Sequence, residues 1–275
     1  RQLALGPAVG GQGVMSTTAR RPRAGWLRRY ALSSRPFLAA TAMEPELAFL
    51  MANLARPPPP PATTTTTTVL DPFCGSASIL LAAARLGASA TIGSDVDADA
   101  LDFDGVCANF AVAGLSPPPR LFVADVTAEA SPLMELRVDA IVTDPPYEMR
   151  AKSRLDGLNR NHQRGGGENS TEDGGTGDRG FSSRDAEFDA VTAADHAVDT
   201  VVLRLLRLAS RVLNPGGRLV FFWPDSNVAI DHAAGDDKSV PWRGRLPDSF
   251  RLVCAGEQRF SPTFSRWLVV LEKVG

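Results

Sequence analysis

Val138-Asp139-Ala140-Ile141-Val142-Thr143 runs without a break into Asp144-Pro145-Pro146-Tyr147. The first six residues are mostly β-branched or small and apolar, the pattern of a strand buried in a sheet. Two consecutive prolines cannot donate to a ladder, so the strand ends at Asp144. That end carries a carboxylate, a backbone carbonyl beside a fixed proline ring, and an aromatic ring. Together they can hold one flat ligand.

Working outward, the same design repeats upstream. Residues 69–70 predict a short strand that opens into Asp71-Pro72-Phe73-Cys74-Gly75-Ser76-Ala77-Ser78, where Gly75 lets the backbone approach a ligand and Ser78 can cap a helix over 78–86 that Gly87 stops. A second strand at about 90–94 ends in Gly93-Ser94-Asp95, 24 residues beyond Asp71, and a helix over 97–113 stops at Gly114. A third strand over 121–124 ends in Asp125-Val126. One acidic strand end is an ordinary loop acid or cap, but four in consecutive units form a set.

Before these units, residues 44–55 read as a helix with Pro45 in its first turn and Leu47, Leu50, Met51 and Leu54 on one stripe. A Pro- and Thr-rich connector over 57–68 separates it from the first strand. Downstream, 157–185 lacks apolar periodicity and reads as an insertion. A long helix over 190–213 buries Val198, Val201, Val202, Leu205, Leu206, Ala209 and Val212. Asn214-Pro215-Gly216-Gly217 then turns the chain into a strand over 218–223, and strands over 250–260 and 265–272 follow. Strands alternating with helices, then two adjacent strands, predict an α/β, Rossmann-like fold. Its mainly parallel, doubly wound sheet has about seven strands and ends in an antiparallel hairpin. Ligands of such sheets sit at the carboxyl ends of the strands, where the acids lie.

The 275-residue chain, with 44% apolar content, is large enough for a sizeable core. Its three cysteines and three histidines show no ligand spacing, so neither a disulfide framework nor a metal site is expected, and a reducing, cytoplasmic setting fits. No apolar run approaches the roughly 20 residues of a membrane span. Net charge is −2, but residues 1–56 carry +6 and the remainder −8. Such asymmetry suits a phosphate-neutralising N-terminal face, or a transit segment. The expected organisation is a basic segment over 1–34, attached to an RNA-binding region, and a single domain over 35–275.

These residues resemble the class I S-adenosylmethionine-dependent methyltransferases with an Asp-Pro-Pro-Tyr motif. The resemblance is closest to the catalytic domain of the tRNA guanosine-10 N2-methyltransferase family, whose complete members carry an N-terminal THUMP region. It rests on Arg35-Pro36-Phe37-Leu38, Thr41-Ala42-Met43-Glu44-Pro45-Glu46-Leu47, Met51-Ala52-Asn53-Leu54-Ala55, Asp71-Pro72-Phe73-Cys74-Gly75 and Asp144-Pro145-Pro146-Tyr147 with Arg150. Further landmarks are Leu213-Asn214-Pro215-Gly216-Gly217-Arg218-Leu219-Val220-Phe221 and Phe264-Ser265-Arg266-Trp267-Leu268. The resemblance implies that Asp71 and Gly75 hold the methionine end of S-adenosylmethionine, Asp95 the ribose and Asp125 the adenine. Phe73, Val96, Val126 and Asp144 would line the same pocket, with Thr41 and Met43 flanking it.

By the same resemblance Asp144, Pro145, Pro146 and Tyr147 meet the target base, and tRNA and a small zinc-binding activator subunit are the partners. Arg150, Lys152 and Arg154 are candidates for phosphate contacts. Asp144 and the Pro145 carbonyl can each accept one N–H of an exocyclic amine, while Tyr147 stacks on an extruded base. An ordinary Asp, with pKa near 3.9, is too weak a base to deprotonate that amine before transfer. The residues leave open DNA or rRNA as the substrate, and a non-catalytic binding scaffold. Two departures from the family pattern stand out: Ala77, where a second glycine is usual, and Glu148, where a small residue follows the tyrosine.

Overall fold

The sequence Val138–Thr143 is strand β4, within the bounds its apolar run predicts, and it lies in the middle of the sheet. The computed structural model describes residues 25–39, 42–55, 67–98, 101–146, 197–225, 240, 242, 244–261 and 264–275. The elements are α1 (Pro45–Leu54), β1 (Thr68–Asp71), α2 (Ser78–Arg85), β2 (Ala90–Asp95), α3 (Phe103–Ala113), β3 (Arg120–Val123), β4, α4 (Ala197–Val212), β5 (Leu213–Asp225), β6 (Phe250–Ser261) and β7 (Phe264–Lys273). Seven strands form one sheet in the order β3-β2-β1-β4-β5-β7-β6. The first five strands of that order pair in parallel, and β7 pairs antiparallel with both β5 and β6, as expected.

Alternation along the strands explains why both faces are covered. Leu70, Ile141, Leu219, Phe221, Trp223, Val269 and Leu271 point to one face and pack with the α4 side chains Val202, Leu205, Leu206, Ala209 and Val212. Val69, Ala140, Val142, Val220, Phe222 and Val270 point to the other, against α1, α2 and α3. Strands buried on both faces are the mark of a doubly wound sheet. Truncating fully buried Leu206 to Ala costs about 2–5 kcal/mol by leaving a cavity.

Several boundaries differ from the sequence reading. Helix α3 begins at Phe103 and not at residue 97, because Asp102 caps it by accepting Gly105 N–H at 3.0 Å and Asp97 N–H is drawn back to Asp95 Oδ1 at 3.1 Å. Helix α1 turns Ala48, Met51, Ala52 and Phe49 inward, leaving Leu47, Leu50 and Leu54 half-buried. Small residues on that stripe let it lie close to α2. The connector yields Thr68 to β1, whose N–H is held by Asp139 Oδ2 at 2.8 Å. Ser78 is the first residue of α2, not its cap; the cap position is Ala77, and the Ser78 hydroxyl accepts from Arg35. Asn214-Pro215-Gly216-Gly217 belongs to β5, because a register shift against Val138 and Ala140 absorbs the extra residues and the Asn214 amide bonds Asp139 Oδ1 at 2.9 Å. The insertion over 157–185, residues 190–196 of the expected long helix and connector residues 57–66 lie outside the described residues.

Candidate active site

Strand order reverses between β1 and β4, the place where open parallel sheets bind ligands. Two of the acidic strand ends meet there. The Thr143 hydroxyl at the end of β4 donates to Asp71 Oδ1 at 2.6 Å, and Phe73 N–H donates to the same oxygen at 3.2 Å. Asp71 is only 1% exposed. Burial, reinforced by the negative charges of Asp95 and Asp144, outweighs both hydrogen bonds and pushes its pKa up to about 7.

The loop after β1 is stitched to the end of β2. Cys74 N–H donates to the Ser94 carbonyl at 2.8 Å, and Gly75 N–H donates to Asp95 Oδ2 at 3.0 Å. Asp95 is buried, and both its oxygens accept backbone N–H groups, which fixes the carboxylate. Gly75 has φ +46°, and Ala77, with φ 60° and ψ 33°, is the single non-glycine residue in the left-handed region among the described residues. Ala77 therefore carries the strain that a glycine would avoid, about 1–2 kcal/mol. Burial raises the Cys74 thiol far above its ordinary range, so it stays protonated.

At the end of β3, Ala124 N–H donates to the Asp95 carbonyl at 3.0 Å, bringing Asp125 to the same edge of the sheet. Asp125 is half-buried, and its Oδ1 accepts the Thr127 N–H and hydroxyl, each at 2.7 Å. Val96 is half-buried beside Asp95, and Phe73 packs partly on the α4 side of the core. Val126 is 2% exposed in that core, so its side chain serves packing and only its backbone can line a pocket. Met43 packs partly against the α1–α2 side. The segment before it is pinned by reciprocal bonds between Phe37 and the buried Asn109, Phe37 N–H to Oδ1 at 3.0 Å and Nδ2 to the Phe37 carbonyl at 2.9 Å. Thr41, Tyr147, Arg150, Lys152 and Arg154 lie outside the described residues.

Asp144 projects from the end of β4, its side chain 27% exposed, followed by buried Pro145 and half-buried Pro146. Its Oδ2 accepts from Arg266 Nη1 at 3.0 Å. Sequence reasoning gave Arg266 no role beyond a place in the Phe264-Ser265-Arg266 resemblance. The available signal was an arginine directly before the apolar run Trp267-Leu268-Val269-Val270-Leu271, since a buried arginine needs a partner.

S-adenosylmethionine fits this donor set. Asp95 and Asp144 both act electrostatically on Asp71, a concentration of negative charge suited to a ligand with ammonium and sulfonium charges. The Ser76 hydroxyl, in the loop after β1, is buried without a protein hydrogen-bond partner. Among the described residues no cluster of side chains could hold a metal ion, and no helix is long and apolar enough to cross a membrane.

The sheet order is that of the class I methyltransferase fold, with the acidic edge where such sheets bind ligands. Residues 33–159 match the family model UPF0020, an RMKL-like methyltransferase domain. The chain is 32% identical over 256 residues to a Dictyostelium discoideum protein named tRNA (guanine(10)-N(2))-methyltransferase TRMT11, covering 90% of this chain and 43% of that protein. It is 32% identical over 252 residues to the tRNA (guanine(10)-N(2))-methyltransferase of Saccharomyces cerevisiae, covering 90% of this chain and 53% of that one. The chain is similar to these methyltransferases and spans about half the length of the curated relatives it matches.

Among solved structures, TrmN from Thermus thermophilus is similar with a TM-score of 0.51 and 23% identity, over 90% of this chain and 52% of that one. The methyltransferase subunit of a type I restriction-modification system from Streptococcus thermophilus is similar with a TM-score of 0.53 and 16% identity, over 85% and 44%. Both are likenesses of fold.

Proposed function

We propose that this domain transfers a methyl group from S-adenosylmethionine to the exocyclic N2 amine of a guanosine in tRNA, at position 10 as in the named relatives. The observation that carries the reading is Asp144-Pro145 at the carboxyl end of β4, beside the acidic edge formed by Asp71 and Asp95. The cofactor supplies an electrophilic methyl on a sulfonium. The chain's residues supply position and charge. Asp144 and the Pro145 carbonyl each accept one N–H, which points the nitrogen lone pair at the methyl and favours the positive charge that develops on nitrogen. The proton leaves with or after transfer, once the nitrogen has become acidic. Tyr147 stacks on the extruded base, and Arg150, Lys152 and Arg154 hold phosphates.

The resemblance brings in a small zinc-binding activator subunit. The edge of β3 supports this, with Val123 54% exposed and Leu121 and Phe122 half-buried on a strand that is the last in the sheet among the described residues. The cysteine usage fits a cytoplasmic setting.

Transfer of labelled methyl to unmodified tRNA by the full chain with its activator tests the reading. Expected is N2-methylguanosine on nucleoside analysis and loss of at least 100-fold in Asp144→Ala. Robust activity in that variant, or a preference for DNA or rRNA, overturns it.

A further inference from the structure

The geometry points to Arg266 as a positioning residue for methyl transfer, its guanidinium holding one oxygen of Asp144 so that the carboxylate meets the acceptor amine in a single orientation. This inference rests on the proposed role of Asp144. Topology explains how a residue 122 positions later reaches it. Because β7 runs antiparallel to β5, its first residues lie at the carboxyl end of the parallel strands, where Pro224 opposes Arg266. Thr143 opposes Phe221 across β4 and β5, so the end of β4 faces the start of β7.

Arg266 is 8% exposed, and its orientation is set independently of Asp144. The guanidinium carbon lies 3.8 Å from the Phe222 ring centroid on β5 and 5.2 Å from that of Phe260 on β6. Nε donates to Gln258 Oε1 on β6 at 2.8 Å. Stacking fixes the plane and Gln258 fixes the rotation within it, leaving Nη1 aimed at Asp144 Oδ2 at 3.0 Å. Asp144 itself stands one residue beyond β4, before two prolines that carry no N–H of their own. Each carboxylate oxygen has more than one acceptor lone pair, so the group can meet Arg266 and a substrate N–H together.

Stability does not account for the arrangement. The pair has one buried partner, Arg266, and one partly exposed, Asp144, a kind of contact that adds little to stability, and the β5–β7–β6 ladders already join these strands along their lengths. The retained charge is better explained by what it does to Asp144.

The test is a double-mutant cycle in the full chain with its activator, measuring methyl transfer to tRNA, cofactor affinity and thermal stability. Arg266→Met is expected to lower kcat about 100-fold, with KM for tRNA and Kd for the cofactor within about threefold. Arg266→Lys keeps the charge but cannot serve both Asp144 and Gln258, and should recover about tenfold of that loss. In an Asp144→Asn background, which retains an acceptor, adding Arg266→Met should cost less than about threefold more, because both act through one contact. Full activity of Arg266→Met, or losses that multiply in the double variant, overturns the inference while leaving the role of Asp144 standing. Full activity of Asp144→Asn, or a wild-type chain that methylates no tRNA, overturns both.

Discussion

Asp71 is a carboxylic acid that holds its proton near neutrality for want of a cation. Its pKa of about 7, against 3.8 in an exposed chain, means the folded domain keeps a proton that the unfolded chain has released. Its contribution to stability is present below pH 3.8 and is lost as the pH rises through 7. Asp71→Asn keeps an acceptor for the Thr143 hydroxyl while removing the buried charge. It should therefore raise stability above pH 7.5, by on the order of 2–4 kcal/mol, and much less at pH 5. Melting curves at both pH values check this; equal shifts at the two would contradict it. A cationic cofactor should draw the proton off, so affinity for S-adenosylmethionine is expected to rise with pH to about 7 and then level. Calorimetry in buffers of different ionisation enthalpy measures the released proton, and its absence removes Asp71 from cofactor binding. The strain at Ala77 was legible in the sequence, because a side chain stands where the family pattern has glycine. The tether on Asp144 was not, because nothing local to Asp144-Pro145-Pro146-Tyr147 says which distant strand will face it.

Glycines in two strands separate soft from hard neighbours. A Cβ on Gly93 in β2 would meet Leu121 Cδ2 at 2.6 Å, Cys74 Sγ at 2.8 Å and Leu80 Cδ1 at 2.9 Å, all side-chain atoms that can shift. On Gly217 in β5 it would meet the backbone oxygens of Asn214 and Asp139, each at 2.8 Å, and these cannot rotate away. Gly217→Ala should thus destabilise by about 3 kcal/mol or more, and Gly93→Ala by about 1–2 kcal/mol. Chemical denaturation ranks the two; the reverse order would show that the β4–β5 shift yields more readily than the packing of α2 on β2. Element types followed from apolar runs and glycine stops, and β4 was read to its bounds. The start of α3 and the fate of residues 214–217 were not, because capping by Asp102 and the anchoring of Asn214 by Asp139 depend on partners that periodicity does not reveal.

Across the whole chain the charge is divided, with +6 in residues 1–56 and −8 beyond them. The acidic edge that suits a cationic cofactor repels phosphate, so the proposed reaction on tRNA calls for phosphate contacts in other segments. Residues 1–24 carry Arg1, Arg20, Arg21 and Arg23 and no acid. Deleting them should weaken tRNA binding and flatten the slope of log K against log salt by up to about 3–4 units, while leaving cofactor affinity unchanged. Binding titrations from 50 to 200 mM salt decide it, and an unaltered slope would place the phosphate contacts in other segments.

The order in which β7 appears during synthesis has a consequence of its own. β7 is an interior strand, between β5 and β6, and it buries Val269, Val270 and Leu271, so a product that stops before it lacks both Arg266 and part of the core beneath the ligand edge. The contact to Asp144 therefore forms only once the last strand of the sheet has been made.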